Sequence, residues 1–488
     1  MSIIQIENLT FAYPGSYDNV FENVSLTLDS DWRLGFIGRN GRGKTTLLRL
    51  LTGAYEYSGD IRSSVQFDYF PYPAADSSLP TEQVLRGVCP AAADWELQRE
   101  LSLLAVEDEV LERPFATLSE GERTKCMLAA LFLNEGHFLL IDEPTNHLDA
   151  EARDTLAAYL RRKSGFILVS HDRAFLDGCV DHILSINRRS IEVQSGNFSS
   201  WQREFERRQT LETAQNERLK KDISRLREAA RRTADWSDKV EATKIGNGPC
   251  DRGNIGHKAA KMMKRSKAIE TRRERAAAEK SKLLHDVELS GELKLSPLAY
   301  HADVLAAFSG VSVSYGGRTV CEDISFEVRR GERIALSGRN GNGKSSLLRL
   351  LLGEDIPHGG KVSVGSGLVI SYVPQSFSDL RGGLADFAAG SGIDESLFKA
   401  ILRKMGFERV QFEKDIAELS LGQRKKVLLA RSLCERAHLY IWDEPLNYID
   451  VFSRMQIERL IAEYAPTMVF VEHDRAFCEN TATRTVSL

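Results

Sequence analysis

Short, uninterrupted runs of apolar residues stand out in both halves of the 488-residue chain. The segments FLLID (138–142) and LYIWD (439–443) each place four apolar residues before an aspartate, and FILVSH and MVFVEH follow them. Runs of this length predict strands buried on both faces, as in a parallel sheet covered by helices. From about residue 202 the apolar positions instead recur at steps of three and four, which predicts a long helix. The pattern therefore indicates two α/β domains joined by a helical segment.

A glycine-rich loop of the form G-x-x-x-x-G-K-[ST] precedes each set of strands. The first reads GRNGRGKTT (38–46) and the second GRNGNGKSS (338–346). Its glycines let backbone N–H groups surround a phosphate chain, its lysine reaches the β- and γ-phosphates, and the next hydroxyl binds Mg²⁺. The motifs LSxGx, DEP and HD follow each loop in the same order. The distance in sequence between a motif of the first half and its counterpart in the second half changes only from 300 to 302 residues. This spacing indicates a duplicated domain, because solenoid repeats are far shorter.

The residues beside each loop predict ATP hydrolysis. The aspartate of each DEP motif ends a buried strand, where a carboxylate can hold the Mg²⁺ that bridges the β- and γ-phosphates. The glutamate after it is placed to polarise the attacking water, and the histidine of each HD motif can reach the γ-phosphate. A single histidine at a strand end is usually structural, but the duplication favours a catalytic role here. The candidate catalytic residues are Glu143, Glu444, His171 and His473.

This order of motifs resembles the ABC ATPase family along nearly the whole chain. In that family two cassettes face head to tail, and each nucleotide lies between the phosphate loop of one and the LSxGx signature of the other. For the first site the resemblance implies ATP binding by Tyr13, Gly38, Asn40, Gly41, Gly43, Lys44, Thr45, Thr46, Ser420 and Gly422. For the second it implies Tyr315, Gly338, Asn340, Gly341, Gly343, Lys344, Ser345, Ser346, Ser119 and Gly121. The implied Mg²⁺ ligands are Thr45 and Asp142 in the first site, and Ser345, Gln375 and Asp443 in the second.

Tyr13 and Tyr315 precede their loops by 25 and 23 residues and resemble the aromatics that stack on adenine. Ordinary strand tyrosines are the alternative.

Three departures from the family pattern predict that the two sites are unequal. Glu120 and Leu421 replace the first glycine of the usual LSGGQ signature. The loop after the first domain's DEP motif reads NHLD, whereas its counterpart reads NYID. Gln375 supplies the expected glutamine in SYVPQ, but the parallel segment DYFPY has Tyr72 there, and a phenol is a poor substitute for an amide as a Mg²⁺ ligand.

Charge is distributed unevenly although the whole chain carries a net charge of only −4. Residues 203–290 contain 23 Lys and Arg against 15 Asp and Glu, giving +8 and leaving −12 elsewhere. A basic segment between acidic domains suggests an anionic partner for that segment, and a solvated helical face is the alternative. Seven cysteines without CxxC pairs indicate a reducing compartment, and the sequence shows neither a signal pattern nor a membrane-length apolar run.

The segment between the cassettes predicts a helical hairpin. An outgoing seam runs through Leu219, Ile223, Leu226, Ala230, Thr233, Ser237 and Val240, and a return seam runs through Met262, Ile269, Ala276 and Leu283. Glycines and a proline break the helix at a tip near residues 244–256. Closely packed cations suit the phosphates of folded RNA. The candidate RNA-binding residues are Arg225, Arg231, Arg232, Lys244, Lys258, Lys261, Lys264, Arg265 and Lys267.

Two fused cassettes, a GNFSSW exit and a charged helical linker resemble the ABC-F proteins, which act on the ribosome. The stretches ARRTADWSDKVEATK, GHKAAKMMKRSK and DEPLNYID resemble the Lsa/Vga-type antibiotic-resistance members, Lsa in particular. The resemblance implies a cytoplasmic monomer with two intramolecular ATP sites that uses ATP and Mg²⁺. It further implies that the protein occupies the exit site of the bacterial ribosome, contacting rRNA and P-site tRNA. The linker would then extend toward the peptidyl-transferase centre and displace lincosamides, pleuromutilins and streptogramin A compounds.

The expected domains are an ABC ATPase domain at 1–200, the basic linker at 201–298 and a second ABC ATPase domain at 299–488. Two alternatives remain open. A housekeeping ABC-F translation factor would use the same sites without protecting against drugs, and the soluble ATPase subunit of an exporter would need a membrane partner.

Overall fold

The computed structural model describes residues 2–15, 19–146, 148–187, 191–242, 264, 268–269, 271–272, 275–276, 293–316, 318–339, 341–377 and 380–488. Within the helix that ends at residue 242, side chains are described as far as residue 226 and at 228. The chain divides into two compact units, one comprising Met1–Trp201 and Ser290–Leu488, and the other Gln202–Leu289. The first unit contains both cassettes, so contacts between the cassettes lie within one unit.

The first cassette alternates strands and helices. Its elements in chain order are β1 (Ile3–Phe11), β2 (Phe21–Asp29), β3 (Arg33–Gly38), α1 (Lys44–Leu51), β4 (Ser58–Arg62), β5 (Gln66–Phe70), α2 (Thr81–Val88), α3 (Asp94–Leu103), α4 (Glu109–Glu112), α5 (Glu120–Leu131), β6 (His137–Asp142), α6 (Ala150–Leu160), β7 (Phe166–Val169), α7 (Arg173–Cys179), β8 (His182–Ile186) and β9 (Ile191–Ser195). The main sheet has the order β5-β6-β7-β3-β8-β9, parallel except for the pair β8/β9. A second, antiparallel sheet has the order β2-β1-β4.

The second cassette repeats this plan. Its elements are β10 (Val304–Tyr315), β11 (Arg318–Arg329), β12 (Arg333–Ser337), α9 (Lys344–Leu351), β13 (His358–Val364), β14 (Ile370–Val373), α10 (Leu384–Gly390), α11 (Glu395–Lys404), α12 (Leu421–Cys434), β15 (Leu439–Asp443), α13 (Val451–Tyr464), β16 (Met468–Val471), α14 (Arg475–Thr481) and β17 (Arg484–Ser487). The parallel sheet has the order β14-β15-β16-β12-β17, and the antiparallel sheet has the order β11-β10-β13. The apolar runs predicted as buried strands form β6, β7, β15 and β16, and the predicted α/β fold class is confirmed.

The helix of the linker, α8, extends from Phe198 to Ala242. Forty-five residues at about 1.5 Å per residue give a rod on the order of 65 Å long. Ile223 of the predicted seam is buried, and Leu219 and Leu226 are partly buried. The tip and most of the predicted return helix lie outside the described residues. In the part of the chain that is described, no helix combines the length and apolar character needed to cross a membrane.

The end of each central strand leads into a phosphate loop and a helix. Gly43 and Gly343 occupy the position before α1 and α9 with φ of 89° and 78°, in the left-handed region that favours glycine. A Cβ on Gly43 would lie 2.7 Å from Val20 and 2.9 Å from the Phe21 ring. Glycine is therefore required here both by the backbone conformation and by the close strand β2.

Candidate active sites

The phosphate loop of the first cassette holds its lysine in a buried position. The Lys44 ammonium donates to the Gly38 carbonyl (2.7 Å) and lies 3.4 Å from the Asn40 Oδ1 atom. Burial lowers the pKa of Lys44, because the charged form loses hydration that backbone carbonyls only partly replace. A polyphosphate in the loop would add negative charge beside this lysine and so favour its charged form.

Asp142, at the end of β6, collects two hydroxyl donors. Its Oδ2 atom accepts hydrogen bonds from Thr45 Oγ1 (2.7 Å) and from the Tyr69 phenol (3.0 Å). The pairing of a phosphate-loop hydroxyl with this carboxylate is the donor set that Mg²⁺ uses in phosphate-loop ATPases. Sequence reasoning missed Tyr69, although the tyrosine of DYFPY recurs as Tyr372 in SYVPQ and could have drawn attention to it.

Glu143 and His171 lie together beside this carboxylate. The His171 Nε2 atom is 3.2 Å from the Glu143 Oε1 atom, and Glu143 has a positive φ of 51°. Burial and then the charge of Asp142 raise the pKa of Glu143 to about 8, and burial lowers the pKa of His171 well below its usual value. Backbone strain in a non-glycine residue often marks an active site, and Glu444 has a similar φ of 47°.

The second cassette closes the first site from the opposite side. A cavity of about 480 Å³ is bounded by Lys44, Thr45, Asp142, Glu143 and His171 of one cassette and by residues of the other, namely Ser420, Leu421, Gly422 and Tyr448. The structure thus brings the predicted signature residues Ser420 and Gly422 to the first phosphate loop.

A direct contact holds this arrangement together. The Asn40 side-chain amide donates to the Tyr448 carbonyl at 2.5 Å. A Cβ on Gly422 would be in severe overlap with both the Asn40 amide nitrogen and the Tyr448 carbonyl oxygen. Gly422 is therefore needed for close approach, because any side chain would separate the signature from the loop.

The two predicted adenine-stacking tyrosines lie at equivalent places. Tyr13 lines the first cavity and its phenol is 2.7 Å from Thr46 Oγ1, whereas Tyr315 lines the second and its phenol is 3.0 Å from Ser346 Oγ. Both tyrosines are exposed, 41% and 47% respectively. Their role in binding adenine stays a prediction.

The second site has the same phosphate-loop geometry. The Lys344 ammonium donates to the carbonyls of Gly338 (2.7 Å) and Arg339 (2.9 Å), and burial lowers its pKa. The Asp443 Oδ1 atom is buried and finds no hydrogen-bond partner among the described residues. An orphaned carboxylate oxygen beside the hydroxyl of Ser345 fits a Mg²⁺ ion, so Ser345 and Asp443 are suited to hold one.

Glu444 is held by more partners than Glu143. Its Oε2 atom accepts from the Asn447 amide at 2.5 Å, its Oε1 atom is 3.8 Å from His473 Nε2, and Gln375 hydrogen-bonds to it. Burial alone would raise the pKa of Glu444, but the neighbouring His473 ring, the Gln375 amide and the Lys425 charge outweigh burial and lower it. The two glutamates are therefore in different electrostatic states, in agreement with unequal sites.

Strand register shows which residues correspond near these glutamates. Phe70 pairs with the residue before Asp142, and Val373 pairs with the residue before Asp443. Tyr72 lies two residues after Phe70, and Gln375 lies two residues after Val373, so Tyr72 and Gln375 occupy equivalent positions in the two cassettes. Gln375 lines the second cavity, whereas Tyr72 is 41% exposed and does not line the first.

The second cavity, of about 560 Å³, receives Glu120, Asn146 and Leu148 from the first cassette. Ser119 and Gly121 are not among its described lining residues. The Ser119 hydroxyl instead bonds to Glu122 (2.7 Å), capping α5. Their predicted contact with nucleotide stays a prediction, and Asn340 lies outside the described residues.

Some of the predicted RNA-binding residues lie in the part of the chain that the structure describes, and others do not. Arg225 and Lys264 are exposed. Arg231 and Arg232 lie in α8, but their side chains are not described. The remaining candidates lie outside the described residues: Lys244, Lys258, Lys261, Arg265 and Lys267.

Comparison with known proteins decides the family. The family model described as ABC transporter matches the chain twice, at residues 21–146 and 321–447, and so covers more than half of it. The chain belongs to the ABC transporter family. It is accordingly an ATP-hydrolysing enzyme that uses ATP with Mg²⁺, as its motifs predicted.

Individual relatives match the whole chain. The ribosome protection protein VmlR of Bacillus subtilis is 29% identical over 98% of this chain and 85% of its own length. The ATP-binding protein Uup of Caulobacter vibrioides is 29% identical (96% and 74%), and the energy-dependent translational throttle protein EttA of Haemophilus influenzae is 28% identical (95% and 88%). These similarities support the ABC-F subfamily within the family.

The solved structures confirm the fold. An archaeal ribosome recycling factor, aABCE1, crystallised with the stalk protein aP1, has a TM-score of 0.63 and 20% identity, covering 96% of this chain and 84% of that one. RNase-L Inhibitor gives a TM-score of 0.62 over 99% and 87%. Two ATPase cassettes within one chain are thus a known architecture.

Proposed function

We propose that this chain is a cytoplasmic ABC-F ATPase that binds the bacterial ribosome and protects it from antibiotics of the peptidyl-transferase centre. ATP closes the two cassettes, the closed form occupies the exit site, and hydrolysis releases it. The linker extends toward the drug site and displaces lincosamides, pleuromutilins or streptogramin A compounds. We base this assignment in part on the resemblance of the linker and of the DEPLNYID segment to Lsa/Vga-type proteins, and to Lsa in particular.

The observation that carries the proposal is full-length similarity to a ribosome protection protein. The match with VmlR extends over 98% of the chain and therefore includes the linker as well as both cassettes. The cassettes alone would be compatible with many ABC functions, whereas a match that includes the basic linker narrows the choice.

Closure within one chain supports the proposed cycle. Asn40 of the first cassette bonds to Tyr448 of the second, and the first cavity is bounded by both. Nucleotide in this cavity would contact both cassettes at once, so it can stabilise the closed form and its hydrolysis can release it. A monomer with two intramolecular sites needs no second chain for this cycle.

Glu143 and Glu444 would act as water-polarising residues, with His171 and His473 beside them. Lys44 and Lys344 neutralise phosphate charge and hold the nucleotide in position. The bound Mg²⁺ neutralises charge that develops on the phosphates. Catalysis is thus positioning and electrostatic stabilisation, without a covalent intermediate on the protein.

Co-sedimentation with bacterial ribosomes tests the proposed partner. The double variant Glu143→Gln with Glu444→Gln retains nucleotide binding but loses hydrolysis, so with ATP it should pellet with ribosomes in near-stoichiometric amounts. With ADP the same double variant should remain in the supernatant. The variant Lys44→Ala with Lys344→Ala is the matched control for nucleotide binding, and it should remain in the supernatant even with ATP. Equal pelleting in ATP and ADP would contradict an ATP-gated ribosome ligand. Absence of pelleting in all states would favour the exporter-subunit alternative.

A housekeeping translation factor is the second candidate. The similarity to EttA, named an energy-dependent translational throttle protein, favours it. Both candidates bind ribosomes, so co-sedimentation does not separate them. Antibiotic susceptibility of a host with and without the gene does, because only the protection factor changes it.

A further inference from the structure

Lys425 is a fully buried lysine in the helix α12, the helix that begins at the second cassette's signature. Its ammonium donates to three backbone carbonyls, those of Pro374 (2.9 Å), Asp443 (3.3 Å) and Gln375 (3.4 Å). Burying an ammonium is unfavourable unless such partners replace its water. The three carbonyls, together with the nearby carboxylates of Glu472, Asp443 and Glu444, compensate this buried charge, and the same bonds tie one helix to the second ATP site.

Two of these carbonyls belong to proposed Mg²⁺ ligands. Gln375 and Asp443 lie on the loop after β14 and at the end of β15, which are separate segments. Lys425 bonds to the backbone of both, and so fixes the spacing between them. Groups that orient a metal ligand without touching the metal commonly change metal affinity when they are removed.

A continuous series of contacts leads from Lys425 back to the first ATP site. The Lys425 ammonium lies 5.7 Å from the centre of the Phe377 ring, and this ring meets Tyr448 edge-on at 6.3 Å. Tyr448 lines the first cavity, and its carbonyl accepts the bond from Asn40. Asn40 in turn lies 3.4 Å from the ammonium of Lys44.

The first cassette lacks the corresponding residues. The signature serines Ser119 and Ser420 cap equivalent helices, so the position of Lys425 is occupied by Thr124. The strand register that pairs Tyr72 with Gln375 also pairs Ala74 with Phe377. A threonine and an alanine are too short to form the same contacts, so the described part of the chain contains this series in one direction.

We propose that Lys425 is a positioning residue that transmits occupancy of the first ATP site to the metal pocket of the second. Nucleotide at the first site draws Lys44 toward its phosphates and changes the bond that Asn40 shares with Lys44. Tyr448 and Phe377 carry this change to Lys425, which adjusts the separation of Gln375 and Asp443. Coupling between sites needs such a physically connected set of groups with two arrangements.

The inference rests on assigning Gln375 and Asp443 to the second metal pocket, and it is independent of ribosome binding. All measurements therefore use the isolated full-length chain without ribosomes. A failure to bind ribosomes or to protect against drugs would leave this inference intact. A failure of the coupling between the two ATP sites would likewise leave the proposed ribosome protection intact.

The test is a Mn²⁺ titration followed by electron paramagnetic resonance, with a non-hydrolysable ATP analogue. The four proteins are the parent chain, Lys44→Ala, Lys425→Met and the double variant. Lys344→Ala identifies the signal of the second site by removing it. We expect Lys44→Ala and Lys425→Met each to raise the Mn²⁺ dissociation constant of the second site about tenfold. The double variant should be no worse than Lys425→Met alone, because both changes interrupt one series of contacts.

Three further variants separate positioning from general damage to the fold. Lys425→Arg keeps a cationic donor and should restore most of the affinity. Phe377→Ala should leave metal binding measurable but remove the effect of Lys44→Ala. Lys163→Met removes a lysine of the first cassette that pairs with the buried Glu100 carboxylate at 2.5 Å and lines neither ATP cavity, and it should lower the melting temperature without changing second-site Mn²⁺ affinity. The inference would be overturned if Lys44→Ala and Lys425→Met raised the Mn²⁺ dissociation constant independently, so that their fold-changes multiplied in the double variant. It would also be overturned if folded Lys425→Met had an unchanged Mn²⁺ dissociation constant.

Discussion

Arg173 of the first cassette forms a buried, two-bond ion pair with Glu458 of the second. Its Nη1 atom donates to Glu458 Oε2 at 3.0 Å and its Nη2 atom donates to Oε1. Arg173 directly follows His171 and Asp172, and Glu458 lies on α13, the helix that begins after Asp450. The pair therefore joins the segment after His171 to the helix after the opposite DEP motif.

The duplicate of this ion pair does not exist. Arg475 corresponds to Arg173, but it bonds to Glu479 on its own helix at 2.9 Å, and Ala157 occupies the position that corresponds to Glu458. A cavity of about 610 Å³ lies there, lined by Ala157 and Arg475 among others. Among the described residues, this buried ion pair therefore fastens one half of the interface between the cassettes, whereas the equivalent positions in the other half hold Arg475 and Ala157.

Removing one partner of this ion pair should destabilise the closed cassettes. Glu458→Ala leaves the buried Arg173 guanidinium near the carboxylates of Asp474 and Asp172 but without its two hydrogen bonds to Glu458, and the loss of a buried partner typically costs about 3 kcal/mol. Urea unfolding of the full-length chain should show this decrease. Glu479→Ala is the matched control, because its pair with Arg475 is exposed and should contribute less than about 1 kcal/mol. Equal losses in the two variants would refute a fastening role for Arg173 and Glu458.

Gly422→Ala should prevent closure of the first site. The added methyl group would overlap Asn40 and the Tyr448 carbonyl, so the cassettes must separate locally. We expect the dissociation constant of a non-hydrolysable ATP analogue at the first site to rise about tenfold, from a steric penalty of about 1–3 kcal/mol. Gly390→Ala is the control, since a Cβ at that helical glycine meets no atom within 4 Å. An unchanged dissociation constant in Gly422→Ala would show that the two cassettes are not in this contact when nucleotide binds.

The positions of many candidate ATP-site residues could be predicted from sequence, because the chemistry requires fixed residue types at fixed spacing. Lys44, Thr45, Asp142 and their duplicates lie at the ends of strands that apolar runs already indicated. The structure also places Ser420 beside the first phosphate loop. The resemblance to the ABC ATPase family predicted this contact, but the local sequence pattern could not.

The remaining contacts depend on tertiary packing. Arg173 and Glu458 are 285 residues apart, and neither belongs to a motif. Lys425 stands in the charged run QRKK, yet it is buried, because its helix packs against a distant loop whose carbonyls accept hydrogen bonds from the lysine. Periodicity reports which face is apolar, and it gives no information on which backbone atoms a buried lysine will meet.

The second site should hydrolyse ATP faster than the first. Gln375 and Asn447 both bond to Glu444, whereas Tyr72, the counterpart of Gln375, does not line the first cavity. Steady-state turnover should therefore fall more in Glu444→Gln than in Glu143→Gln, with a loss of about 10²-fold at whichever site carries the change. A larger decrease in Glu143→Gln would contradict the argument from Tyr72.

Charge reversal in the linker should weaken ribosome binding without affecting the ATP sites. Lys258, Lys261 and Lys264 changed to Glu should raise the dissociation constant for ribosomes and make its salt dependence shallower by about one unit of slope per lost phosphate contact. ATPase activity without ribosomes should remain unchanged. The control reverses three exposed cations of the second cassette, Lys361, Arg409 and Lys414. If both triple variants bind ribosomes equally, the linker is a solvated helical surface.

Antibiotic susceptibility tests the proposed protection of the ribosome most directly. A susceptible bacterial host would express the parent chain, the Glu143→Gln with Glu444→Gln variant, or a chain shortened within residues 244–256, with empty vector as reference. Minimum inhibitory concentrations would be measured for a lincosamide, a pleuromutilin and a streptogramin A compound, and for one antibiotic that binds elsewhere on the ribosome. We expect the parent chain to raise the values for at least one of the three classes and not for the fourth drug, and the two variants to give no protection. Unchanged susceptibility to all three classes with the parent chain expressed and ribosome-bound would contradict protection and favour the housekeeping translation factor.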